Sequence, residues 1–222
     1  MNEDALRDFS GTARLFPLPN LVLFPHVIQG LHIFEPRYRQ MTADALASDR
    51  YIAIVMLKSE EDEAAERPAI ESVACLGQIV GHEKLPDGRY NLRLRGLCRV
   101  RIIEEIASDR LYRSARVEVL PDTAGSDLAV LTQLRHNLAA AVLPQFAEDS
   151  PARQQLQELF DGDMPLGQVC DILSYALPLP MEMKQALLAE PQAERRASAI
   201  TDALRISAAR ADRPFPPPFS AN

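Results

Sequence analysis

Pro17, Pro19 and Pro25 fall within nine residues of one another, in the segment Leu15-Phe16-Pro17-Leu18-Pro19-Asn20-Leu21-Val22-Leu23-Phe24-Pro25. Each stands beside large apolar side chains. Proline lacks a backbone donor and has a preset φ, so it belongs at strand starts, edges and turns rather than in helix or central-strand interiors. The segment therefore predicts short extended pieces broken at all three prolines, with apolar groups to bury on both sides. It carries no catalytic group, and so points to a scaffold and a binding surface rather than to chemistry.

The rest of the first half reads as β-rich. Tyr51 to Leu57 is a nearly continuous apolar run of strand length, the pattern of a buried strand. Residues Glu60 to Glu66 hold five carboxylates and no large apolar residue, a solvated loop. Ser72 to Leu85 and Arg89 to Arg95 flank Pro86-Asp87-Gly88, a turn that proline starts and glycine completes at positive φ. Leu97 to Ile106 and Tyr112 to Leu120 complete the strands. One helix interrupts them, from Pro36 at the first helical position to about Ala47, with Tyr38, Met41, Ala45 and Leu46 as its stripe.

The second half reads as helical. Asp127 caps a helix bearing Leu128, Leu131, Leu134, Leu138 and Val142. Ser150-Pro151 and Pro165 open two more. A short helix covers about Met181 to Ala189, and a last one starts near Pro191 with Ala197, Ile200, Leu204 and Ser207 inward. Residues 211–222 contain four prolines and predict an extended or disordered tail. The expected division is 12–120 for the β part and 127–210 for the helical part.

Cys75, Cys98 and Cys170 are odd in number, lack CxxC spacing and sit in apolar patterns, so buried free thiols are expected. The acidic start precedes no apolar stretch, so no secretory signal is expected, and a cytoplasmic setting follows. The net charge of −7 weighs against a general nucleic-acid binder. Only Lys58, Lys84 and Lys184 occur and none follows a glycine, which excludes a GxxxxGK[ST] phosphate loop. Lys58-Ser59, on a loop, offers no shielded nucleophile and base. His26, His32, His82 and His136 lack metal-ligand spacing, and Asp161-Gly162-Asp163 lacks the oxygens of a calcium loop. Neither catalytic residues nor a metal or cofactor are expected.

If Arg93 to Arg101 is extended, Arg93, Arg95, Arg99 and Arg101 share one face and Leu92, Leu94, Cys98 and Val100 the other, unless Gly96 hosts a bulge. Such a strip either binds an acidic ligand or RNA phosphates, or pairs with carboxylates of neighbouring strands and the 60–66 loop. The second reading is favoured.

Phe16-Pro17-Leu18 through Leu23-Phe24-Pro25, Phe34-Glu35-Pro36-Arg37-Tyr38, Leu76-Gly77-Gln78-Ile79, Leu85 to Tyr90, Arg95 to Val100, and Leu177-Pro178-Leu179-Pro180 with Lys184 to Leu188 together resemble the Lon N-terminal, substrate-binding domain family. The Phe34 to Tyr38 variant is similar to its stand-alone members. The resemblance spans roughly residues 12 to 210. It implies an α+β fold, a β-rich PUA-like pseudo-barrel followed by a C-terminal helical bundle. It also implies a non-catalytic module that binds unfolded or tagged polypeptide and presents it to a separate protease. Phe24, Pro25, Phe34 and Tyr38 are the candidate peptide-binding residues, against the alternative that they are core. RNA or acidic-ligand binding through the arginine strand is the alternative function.

Overall fold

Strand β1 (Thr12–Leu18) runs straight through Pro17 instead of breaking there. The reason lies in its two neighbours. On one side β1 is parallel to β3 (Tyr51–Met56), with Leu15 opposite Ala53 and Leu18 opposite Met56. On the other it pairs with β6 (Ser114–Leu120) only from Thr12 to Arg14. The Leu15 N–H donates to the Arg113 carbonyl at 2.8 Å; the next position on that side is Pro17. Its missing donor falls just past the end of the partner strand, where a strand tolerates proline. Pro19 and Pro25 do lie outside strands, in the loop leading to β2 (Ile28–Ile33).

The structure is a computed structural model that describes residues 6, 9–58, 67–123, 125 and 127–211, with side chains of the last helix as far as Ser207. Ser59, the acidic segment 60–66 and the proline-bearing tail beyond 211 lie outside the described residues. The chain divides into two units, Met1–Asp122 with Asp171–Pro191, and Thr123–Cys170 with Gln192–Asn222. The expected contiguous division at 120/127 thus marks only the first crossing.

In the first unit the strand order is β2-β5-β4-β3-β1-β6, and β5 (Tyr90–Ile106) pairs again with β6. Five strands therefore close into a barrel, and β2 extends the sheet from β5. Closure is possible because β5 is one strand of 17 residues, long enough to meet β2 at one end and β6 at the other, rather than the two strands expected. The barrel interior takes residues from all five strands: Ala13, Leu15, Tyr51, Ala53, Val55, Ala74, Leu76, Cys98, Val100, Ala115 and Val117. The outside of β3 is buried too, which is why Tyr51 to Met56 reads as an unbroken apolar run. Helix α1 (Pro36–Leu46) contributes Tyr38, Met41 and Ala45, with Leu46 only half-buried. The Tyr38 and Phe16 rings meet at 4.3 Å.

β4 (Val73–Lys84) and β5 form the predicted hairpin, with Gly88 at φ 81°. Their register slips twice: between Leu76–Cys98 and Gly77–Gly96, leaving Leu97 as an extra residue of β5, and between Ile79–Leu94 and Gly81–Arg93, leaving Val80 as an extra residue of β4. Gly96 is required at the first slip. A Cβ on it would sit 2.1 Å from the Phe24 carbonyl oxygen. The loop after Phe24 lies against β5, with the His26 N–H donating to Gly96 at 2.9 Å and the Gly96 N–H to Val27 at 2.8 Å.

The second unit holds α2 (Leu128–Val142), α3 (Pro151–Asp161), the start of α4 (Leu166–Ala176) and α6 (Ala193–Ala211). Asp127 caps α2, accepting from the Ala129 and Val130 N–H groups, and Ser150 caps α3. Leu138 and Val142 are buried, but Leu128 is exposed and Leu131 and Leu134 are half-buried, so the α2 stripe is narrower than its sequence suggests. On α6, Ala197, Ile200 and Leu204 point inward and Ser207 does not. Arg135 donates to the carbonyls of Phe160, Gly162 and Met164, holding the open end of α3. The end of α4 and α5 (Met181–Ala189) belong to the first unit.

Candidate functional site

The bulge at Leu97 decides what the arginine strand does. Because Leu97 is extra, the alternation changes hand across it. Gln78 pairs with Arg95 and Leu76 with Cys98, so Arg93 and Arg95 share a face with Cys98 and Val100. Arg99 and Arg101 lie on the face of Leu94. The four arginines do not form one strip.

Arg99 is 2% exposed and Asp171 fully buried. The guanidinium grips Asp171 through both terminal nitrogens, one of them at 3.2 Å. It also donates to Asp122 at 2.7 Å and, from Nε, to the Leu188 carbonyl at 2.9 Å. Burial alone would lower the Arg99 pKa, but Asp171 and then Asp122 outweigh it and hold it above the ordinary value. This arginine fastens β5 to the middle of α4 and the end of α5 and cannot serve as an open ligand site. Gln185 supports the same junction by donating to the Val73 carbonyl at 2.9 Å.

Arg93, Arg95 and Arg101 are exposed. Across the β2–β5–β4 register, Ile28 lies opposite Arg95, Gly30 opposite Arg93, and His32 opposite Asn91. Ile28 and Phe34 are 51% and 60% exposed, and the His32 and Phe34 rings stack 6.3 Å apart. His32 and Asn91 share a 2.8 Å hydrogen bond. A Cβ on Gly30 would meet nothing.

The opening segment lines a different concavity. Phe24 and Pro25 lie in the interior, with Phe24 fully buried. Tyr38 is buried but reaches the floor of a cleft of about 590 Å³. Pro17, Leu18 and Pro19, where β1 runs past the end of β6, line it together with residues of the 106–113 connection. Tyr38 donates to the Pro17 carbonyl at 3.4 Å, and burial raises its pKa. Leu111, 63% exposed, and Ile106 give the rim an apolar part. Arg113 holds Glu105 in a two-pronged pair and donates to the Pro68 carbonyl. That pairing, helped by Arg67, keeps the Glu105 carboxyl below its ordinary pKa. Tyr112 donates to Asp44 at 2.8 Å; burial and then that bond raise its pKa. The 106–113 connection was not among the expected site residues. Its one local signal is Leu111-Tyr112 set among arginines between two strands.

Of the candidate peptide residues, then, Phe34 stands on the open sheet face, Tyr38 floors the cleft, and Phe24 and Pro25 support the loop behind Gly96. No chemistry collects around them. Cys75, Cys98 and Cys170 are free and buried. Burial pushes the Cys75 thiol well up and Cys98 to about 11, so neither offers a thiolate. No helix among the described residues is long and apolar enough to cross a membrane.

A barrel of this strand order followed by helices defines an α+β domain, the fold of solved Lon N-terminal domains. The chain is similar to the crystal structure of a Lon N-terminal domain protein from Xanthomonas campestris, with TM-score 0.62, 24% identity, and 86% and 97% of the two chains covered. It is also similar to the N-terminal domain of Mycobacterium avium complex Lon protease, with TM-score 0.66, 15% identity, and 87% and 98% covered. Sequence relatives include Lon protease 2 of Myxococcus xanthus, 25% identical over 86% of this chain, and Lon protease 1 of Herpetosiphon aurantiacus, 28% identical over 86%. The chain spans only 23% and 24% of those two proteins. It belongs to the ATP-dependent protease La (LON) substrate-binding domain family, whose pattern matches residues 12–205.

Proposed function

We propose that this chain is a non-catalytic module that binds unfolded or tagged polypeptide and presents it to a separate protease. The observation that carries the reading is membership of a substrate-binding domain family across residues 12–205. The cleft between Pro17–Pro19 and the 106–113 connection supports it with a place. It joins apolar groups to fixed arginines and tyrosine hydroxyls, the mixture that suits an irregular peptide.

Binding of fluorescent casein to the immobilised domain tests the reading. Unfolded chains compete, folded ones do not, and replacing both Ile106 and Leu111 by Asp weakens binding about tenfold. Equal retention by the wild type and that double variant would remove the cleft as the site; no retention by either would remove the function. Presentation is read separately. Adding the domain to a Lon protease stripped of its own N-terminal domain speeds casein loss, and an unchanged rate would leave a binder without a presenting role.

A further inference from the structure

Seven exposed or half-exposed arginines of the first unit have a carboxylate partner. Arg14 pairs with Asp49, Arg37 with Glu35, Arg67 and Arg113 with Glu105, Arg89 with Asp87, Arg110 with Asp44 and Arg116 with Glu104. In a chain of net charge −7 this is the ordinary outcome. Among the described residues no carboxylate pairs with Arg39, Arg50, Arg93, Arg95 or Arg101, and of these Arg93 and Arg95 stand side by side on an open sheet face. They are placed there by the Leu97 bulge, which turns them away from Arg99. The same face presents Ile28 and Phe34, large apolar side chains left exposed. Beside them, the outer edge of β2 meets no strand among the described residues.

We infer that this face, Ile28, His32 and Phe34 with Arg93 and Arg95, is a second recognition surface that selects extended polypeptide segments carrying carboxylates and bulky apolar residues on the same side of the chain. The inference rests on the polypeptide-binding reading and adds the class of segment preferred. Two adjacent guanidinium groups without carboxylate partners among the described residues offer charge-assisted hydrogen bonds to carboxylates spaced two residues apart on an extended chain. Ile28 and Phe34 supply apolar area, and the free β2 edge supplies main-chain donors and acceptors. The edge separates a peptide from a nucleic acid, which has no matching main chain. So does the charge: two guanidinium groups on an acidic protein do not neutralise the run of phosphates on which general nucleic-acid binding depends.

The test is fluorescence anisotropy on the full chain. The probes are a labelled peptide with Glu, Leu and Phe at every second position and Ser between them, its Gln-for-Glu counterpart, and a labelled oligouridylate of similar length. The wild type binds the Glu peptide about tenfold more tightly than the Gln peptide, and the preference fades with added salt. Arg93→Gln with Arg95→Gln abolishes the preference while casein binding through the cleft persists. Arg93→Lys with Arg95→Lys retains part of it. Equal affinity for both peptides, or a preference unchanged in the Gln variant, overturns the inference and leaves casein binding standing. Tighter binding of oligouridylate that depends on the same two arginines overturns it in favour of a nucleic-acid ligand. Loss of all casein binding by the wild type would instead sink the broader reading.

Discussion

At Arg99 the protein takes a guanidinium fully out of water and answers it with a buried carboxylate 72 residues further along the chain. Such a pair gains less than its short distances suggest, because both charges lost their hydration. Breaking it is another matter. Asp171→Asn, or Arg99→Met alone, removes a buried charge's opposite partner and should cost about 3–5 kcal/mol in urea unfolding. Arg99→Met combined with Asp171→Leu should recover much of that loss; a double variant as unstable as the sum of the singles would mean the pair contributes more than mutual compensation. Gly96→Ala tests the contact beside it. Its Cβ would press on the Phe24 carbonyl, and a loss of about 1–3 kcal/mol is expected from overpacking. Glu105 links residue chemistry to pH. Its pKa is lowered by Arg113 and Arg67, so its contribution is fully present above the unfolded carboxylate value, ordinarily 4.5, and fades as pH falls through the lower folded value. Glu105→Gln should remove about 1 kcal/mol at neutral pH and flatten the acid limb of a stability–pH curve.

Among the elements, β5 organises the first unit. Its length lets one strand pair with β2, β4 and β6, and its bulge at Leu97 hands the arginines to opposite faces. Deleting Leu97 should restore strict alternation, drive Arg99 off its face or slip the register, and destroy cooperative unfolding. A deletion variant with native-like thermal unfolding would show that the bulge is dispensable. Much at this scale was legible in the sequence. The hairpin at Pro86-Asp87-Gly88, the buried β3, the proline start of α1 and the capped starts of α2 and α3 follow from local chemistry, in which turns, caps and apolar periodicity act within a few residues. The join of two expected strands into β5 was not legible. Gly96 signals a possible interruption, and only the carbonyl of Phe24 pressed against it reveals that the strand continues. For the same reason Pro17 reads as a break: nothing local tells that β6 ends before reaching it.

For the whole molecule, the chain enters the helical unit at Thr123, returns for Asp171–Pro191 and leaves again at Gln192. The returning stretch carries the carboxylate of Asp171, the carbonyl of Leu188 and the side chain of Gln185, all of which hold the barrel's strands. A fragment ending at residue 122 therefore keeps every strand yet lacks Asp171 and Leu188, leaving Arg99 only Asp122 of its three partners. It should fail to unfold cooperatively by circular dichroism, whereas a contiguous β domain would survive that cut. Alone, the sequence determined the fold class, the family, the lack of a phosphate loop and the placing of most helices and strands, because these depend on patterns that short stretches of chain carry themselves. Only the tertiary structure decided that Phe24 and Pro25 are interior, that Phe34 is open, that Arg99 is a buried fastening, and that Arg93 and Arg95 stand free of carboxylate partners among the described residues. Burial and charge pairing depend on which distant segments meet, and one extra residue in a strand is enough to send neighbouring side chains to opposite faces.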